Sequence, residues 1–321
     1  VPRPRTLRRS LRSAPLSTGL LECVPNISDG RDATAIDAIA KAFASGGATL
    51  LDVESDRDHN RSVVTIAGSR REVVDGAVAG ARAALSRIDL TKHEGAHPRM
   101  GATDVVPFIP LAGATMADAV AAADEAAERI ARELGVPTYL YGDAARVEAR
   151  RDLAKVREGQ FEGIRDLIGT DPARAPDFGP TAVHPTGGAT AVGARFFLIA
   201  FNVDLVTRDL PLAKRIAKEI RERDGGLKGV KALGFDLPEK GWVQVSMNLV
   251  DYRQTTPIAA YDAIKARADA AGVEIAGSEL VGLIPAAACP AGFAERVRLL
   301  AFDPDQVIET RIASRRLAKR S

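Results

Sequence analysis

Apolar positions recur along this chain with two periods, and each period marks an element. In residues 32–45, Ile36, Ile39, Ala40 and Phe43 share one helical face; further on, Val74, Val78, Ala81, Leu85 and Ile88 recur at gaps of four and three, the spacing of an amphipathic helix. Shorter apolar runs read as strands: LLECVPN at 20–26, ended by Pro-Asn; ATLLDVES and RSVVTIAGS, joined by the polar turn DRDHN; and DVVPFIP at 104–110. The order is β-α-β-β-α-β. A helix over about 115–134 with Thr115 as N-cap, and the strand TYLY, add to this unit.

The second half repeats the order. ARFFLIAFNV is a strand, LPLAKRIAKEIRE a helix, GLKGVKALGFDL and WVQVSMNLVDY two strands, TTPIAAYDAIKARADAAG a helix with Pro257 in its first turn, and VEIAGSELVGLI a strand. The expected fold is therefore α/β in the α+β sense: two sequential split β-α-β units, each a sheet covered by helices on one face. Between them, residues 170–194 are rich in proline and glycine and carry no sustained period. Such a stretch is either a linker or a functional loop, and DFGPTAVHPTGG mixes rigid and glycine-opened backbone suited to hugging a flat ligand. GGATAVGAR lacks the G-K-[ST] of a phosphate loop, which argues against a nucleoside triphosphate.

Composition narrows the partners. The 321 residues are 46% hydrophobic and 27% charged, the balance of a water-soluble globular protein. The net charge is +2, but residues 1–19 hold five arginines and no acid, so the remainder carries −3 and nothing in it argues for wrapping nucleic acid. The basic opening reads as a disordered extension, and the closing RIASRRLAKRS as a solvated, frayed helix end. No run approaches the roughly 18 apolar residues of a membrane span. With only Cys23 and Cys289, far apart, there is no disulfide framework, and a reducing cytoplasm is the simplest compartment.

The candidate chemistry centres on HEGAHPRMG, residues 93–101. It contains a literal H-E-x-x-H, but that zinc signature needs both histidines one turn apart on a helix. Gly95 lies between them and Pro98 pushes His97 toward extended backbone, so a polar loop is expected and no metal. An exposed loop histidine beside Arg99 is held toward its neutral, proton-accepting form; equally, it could simply cap a turn. Around it, Glu22, Asp52, Glu54, Asn60, Arg61 and Asp104 occupy strands or strand ends that could converge into a charged pocket for a small charged substrate.

Several stretches then match a known family. ECVPNISDGR, LLDVESDRDHNRSVVTIAG, KHEGAHPRMGATDVVPFIP, GVPTYLYGDAA, APDFGP with GATAVGARFFLIAFNV, VQVSMNLVD and SELVGLIP, in order over residues 20–313, resemble the glutamate formimidoyltransferases, the transferase half of formimidoyltransferase-cyclodeaminase. The resemblance implies two subdomains, 20–197 and 198–321, meeting across a folate-binding cleft, and a homodimer. It implies transfer of a formimino group from N-formimidoyl-L-glutamate to N5 of the co-substrate tetrahydrofolate, in histidine breakdown. His97 falls on the family's catalytic histidine. The folate-contacting segment falls on Gly179, Pro180, Thr181, Ala182, Val183, His184, Pro185, Thr186, Gly187 and Gly188. On this reading Glu54 and Asp104 stabilise the cationic formimino group, Asn60 joins them in binding substrate or folate, and Arg61 and Arg99 grip substrate carboxylates. A formyl donor on the same fold is the alternative, and a folate-binding module without catalysis a more remote one.

Overall fold

A computed structural model of the chain describes residues 19–95 and 97–318. The basic extension expected over residues 1–19 lies outside the described residues except for Gly19. The elements are β1 (Leu21–Cys23), β2 (Asn26–Ile27), α1 (Ala33–Phe43), β3 (Thr49–Asp56), β4 (Arg61–Gly68), α2 (Arg70–Leu85), β5 (Thr103–Pro110), α3 (Met116–Leu134), β6 (Thr138–Gly142), α4 (Leu153–Val156), α5 (Gln160–Leu167), β7 (Thr190–Ala194), β8 (Ile199–Leu205), α6 (Leu210–Ile220), β9 (Val230–Leu237), β10 (Trp242–Leu249), α7 (Pro257–Ala270), β11 (Ile275–Val281), α8 (Phe293–Arg296) and α9 (Ile308–Ala318).

Both expected split β-α-β units are present. β1 and β2 are one strand broken at Val24-Pro25, because proline has no N–H to give the ladder; the run continues past the Pro-Asn that the sequence reads as its end. It lies between β4 and β5, with β3 outside β4, so the first unit's strands stand in the order fourth, first, third, second. The second unit repeats that order as β11-β8-β10-β9, all antiparallel. β7 and β6 extend the first sheet beyond β5 by parallel pairing. Residues 190–194 of the proline- and glycine-rich stretch are therefore a fully buried strand. Its apolar run is too short for a period to show.

The helices start where side chains can satisfy their free N–H groups. Asp32 caps α1; Ser69 with Glu72, and Thr115 with Asp118, close reciprocal capping boxes on α2 and α3. Ile36, Ile39 and Phe43 of α1, Val74 and Val78 of α2, and a line of alanines on α3 then bury Ile66 and Phe108 on one face of the first sheet. Gly80 permits the closest approach: a Cβ there would lie 2.1 Å from the Phe43 ring. In the second unit, Phe201, Val203, Val245 and Met247 pack under Leu212, Ile216, Tyr261 and Ile264. Ala67 and Ile109, on the other face of the first sheet, join this second cluster, so the units share one continuous core. Residues 311–318 of the basic C-terminal stretch belong to α9, whose Ile308 and Ile312 are buried and whose Arg311 donates to the Leu51 carbonyl at 3.4 Å; the rest of that stretch lies outside the described residues. Among the described residues no helix is long and apolar enough to cross a membrane.

Candidate active site

Where the two units meet, the uncovered face of the first sheet leaves a cavity of about 340 Å³, lined by Glu22, Asn26, Glu54, Arg61 and Arg195 from the first unit and by Asn248 and Val281 from the second. It adjoins a second cavity of about 390 Å³ bounded by Glu54, Asp56, His59, Arg61 and His97; Glu54, Arg61 and Val63 belong to both. Both volumes fall in the range of ~300–1,000 Å³ usual for small-molecule sites. The convergence expected of Glu22, Asp52, Glu54 and Arg61 is thus present.

His97 sits in a bend between strands, not on a helix. Its Nδ1 lies 2.7 Å from the Pro98 carbonyl oxygen. A carbonyl can only accept, so Nδ1 carries the hydrogen and Nε2 keeps its lone pair. Burial, reinforced by the Arg61 and Arg157 guanidiniums, lowers the pKa of this imidazole to about 4. The neutralising charge expected from Arg99 therefore comes from other arginines. His93 is turned elsewhere: its Nε2 donates to the Asn60 carbonyl at 3.0 Å, so the two histidines do not share a helical face. Among the described residues no group of three or more His, Cys, Asp or Glu side chains is arranged to hold a metal ion.

Other expected site residues have structural partners. Asn60, in a left-handed turn at φ 49°, accepts from the Gly30 N–H and donates to the Glu94 carbonyl, stitching three loops together. Arg99 is not free to grip a substrate: it forms a fork with Glu162 at 2.7 and 3.0 Å and a bond to Gln160. Asp104 is only 2% exposed; one oxygen accepts from the Met100 N–H at 2.8 Å and the other from Arg157 at 2.7 Å, so it braces the histidine loop from behind and lines neither cavity. Glu54 does stand in the crevice, with its pKa raised by partial burial and by the charge of Asp52. The segment Gly179–Gly188 lines neither cavity. It runs along the helical side, Gly187 against Leu85 and Gly179 against Ala131, and meets the histidine loop through backbone bonds: Ala102 N–H to the Gly187 carbonyl and Ala189 N–H to the Met100 carbonyl, both 2.9 Å.

Three residues escaped the sequence reading. His59, its Nδ1 2.7 Å from Asp56, faces His97 edge-on with ring centroids 6.1 Å apart. Arg157 comes from a segment where no element was expected. Arg195 follows β7, in the connection to β8, and lines the cleft. A histidine in the hairpin turn DRDHN was the only available hint, for the first alone.

The chain matches two family descriptions: Formiminotransferase domain, N-terminal subdomain, over residues 20–195, and Formiminotransferase domain over residues 200–319. It is 46% identical to the glutamate formimidoyltransferase of Streptococcus pyogenes serotype M1, covering 84% of this chain and 90% of that protein. Against the glutamate formimidoyltransferase of Thermoplasma acidophilum the identity is 43%, over 91% and 97%. The formimidoyltransferase-cyclodeaminase of Sus scrofa is 46% identical over 83% of this chain, which spans 50% of that longer protein.

Proposed function

From the premise that this chain belongs to the formiminotransferase family, we propose that it moves the formimino group of N-formimidoyl-L-glutamate to N5 of tetrahydrofolate, with His97 as the proton-transferring group. It is an enzyme, a transferase whose activity is glutamate formimidoyl transfer. The observation that carries the role of His97 is its Nε2, which has no hydrogen-bond partner among the described residues, at a cavity shared with Arg61 and Glu54.

N5 attacks the formimino carbon and a C–N bond forms; the tetrahedral carbon then expels the glutamate nitrogen. One proton leaves N5 and one reaches the departing nitrogen, and His97 Nε2 can take the first and return it as the second. An imidazole already neutral well below pH 7 needs no deprotonation before it acts. Arg61 supports a carboxylate contact with the donor, and Glu54 an ionic contact with the cationic formimino group. Most of the acceleration comes from holding both substrates in register across the cleft.

Replacing His97 by alanine lowers turnover by ~100 to 10,000-fold, the usual loss for an acid-base group, with tetrahydrofolate affinity little changed. Wild-type turnover in that variant removes His97 from the role. Parallel assays with formiminoglutamate and formylglutamate decide between the imine and the carbonyl donor. We assign the reaction to histidine breakdown in the cytoplasm, and the active form to a homodimer. Leu233 and Phe235, 54% and 47% exposed on β9, are an apolar surface that supports association. A monomeric mass in sedimentation at micromolar concentration rejects the dimer.

A further inference from the structure

The backbone just after His97 is held at two points by the segment from α4 to α5. On one side the Phe161 N–H donates to the Arg99 carbonyl at 2.9 Å, while Gln160 and Glu162 hold the Arg99 side chain. On the other, Arg157 reaches the buried Asp104, which in turn fixes the Met100 N–H. Asp104 and Arg157 face no solvent to speak of, with side-chain exposures of 2% and 14%. The arrangement is expensive. Besides its bond to Asp104, Arg157 buries an Nε–H that has no acceptor among the described residues, and Arg61 beside it buries another. An orphaned donor on a cation is a cost that an apolar side chain of similar shape would avoid.

The charges around His97 come from every side of the cavity. Arg61 stands on β4, Arg157 follows α4, His59 occupies the β3–β4 turn, Glu54 and Asp56 lie on β3, and Asp104 opens β5. The two guanidiniums are near enough to act on the imidazole and on each other. Arg157 lines neither cavity.

We propose that Arg157 is a positioning residue for formimino transfer: through Asp104 it fixes the backbone that presents His97, and its guanidinium is one of the two cations near that imidazole. This rests on His97 being the proton-transferring group, and it explains why a buried cation with an unmet N–H is retained behind that loop. The lowered pKa of His97, which Arg157 helps to cause, agrees with the geometry.

The test compares Arg157→Met and Arg157→Lys with the wild type, in steady-state kinetics across pH and by NMR titration of the His97 ring without substrate. The Met variant is expected to lose ~10–100-fold in turnover, the scale of a displaced catalytic group, with donor KM nearly unchanged. The acid limb of its kcat/KM profile and the titration of His97 should both move to higher pH, because a like charge has gone. The Lys variant should keep both near their wild-type positions and recover most of the turnover. Wild-type turnover in the Met variant overturns the proposal, as does a fall in turnover with the titration of His97 unmoved. If the Met variant does not fold, the Lys variant decides: loss of turnover with a shifted acid limb overturns the proposal, and retention of both upholds it. The ring titration needs no activity, so a failure here is separable from a failure of the His97 assignment, which His97→Ala decides.

Discussion

Glu22 gives a test in which pH alone separates reasoning from coincidence. It sits in the middle of β1, 3% exposed, on the face turned toward the second unit, and among the described residues its carboxyl accepts no hydrogen bond. Burial raises its pKa from 4.5 to about 7; Arg195 opposes the shift and Glu309 adds to it. Between those values the folded chain holds a proton that the unfolded chain has released. This group therefore withdraws stability as pH rises from about 4.5 to about 7, and the whole cost is present above 7. At about 1.4 kcal/mol per unit the cost is about 3 kcal/mol. Glu22→Gln keeps the shape and cannot ionise. In urea unfolding the variant should gain on the wild type by about 2–3 kcal/mol on going from pH 5 to pH 8, since every other titrating group is common to both. A stability difference that stays constant between those pH values would falsify the picture of a carboxyl kept protonated by the cleft.

Arg99→Ala should lower kcat while donor KM changes by less than about threefold, because its guanidinium is committed to Glu162 and not to a substrate carboxylate. A KM raised by about tenfold or more at unchanged kcat would return Arg99 to the gripping role. Gly188→Ala should destabilise the fold by at least ~1–3 kcal/mol in urea unfolding: its φ is +69°, and an added Cβ would lie 2.2 Å from the Met100 carbonyl oxygen. An unchanged midpoint would mean that the junction between the histidine loop and β7 yields more easily than its backbone bonds imply.

The split β-α-β units were legible in the sequence because several of their strands and their long helices bury one face, and burial on one face leaves a period of two or of 3.6. Thr115 before α3 and Pro257 at the start of α7 lie where the pattern places them, since caps are local chemistry. His97 could be excluded from a helix by Pro98 alone. Short or fully buried pieces leave no such trace. β7 is buried on both faces and α4 has four residues, so neither shows a period.

The charges of the site were decided only by tertiary structure. Arg99 is two residues from His97 in sequence, yet Glu162 takes it; burial, and then Arg61 and Arg157 from distant segments, act on the imidazole instead. Asp104 looked like a pocket acid and is a buried brace. A long flexible side chain goes to whichever partner the packed backbone places within about 3 Å, and no local period records that choice. What the sequence by itself determined was the alternation that builds two sheets and the prolyl ring that keeps His97 off a helix. The partner of each ion, and with it which polar residues remain free to meet a ligand, was settled only when distant segments came into contact.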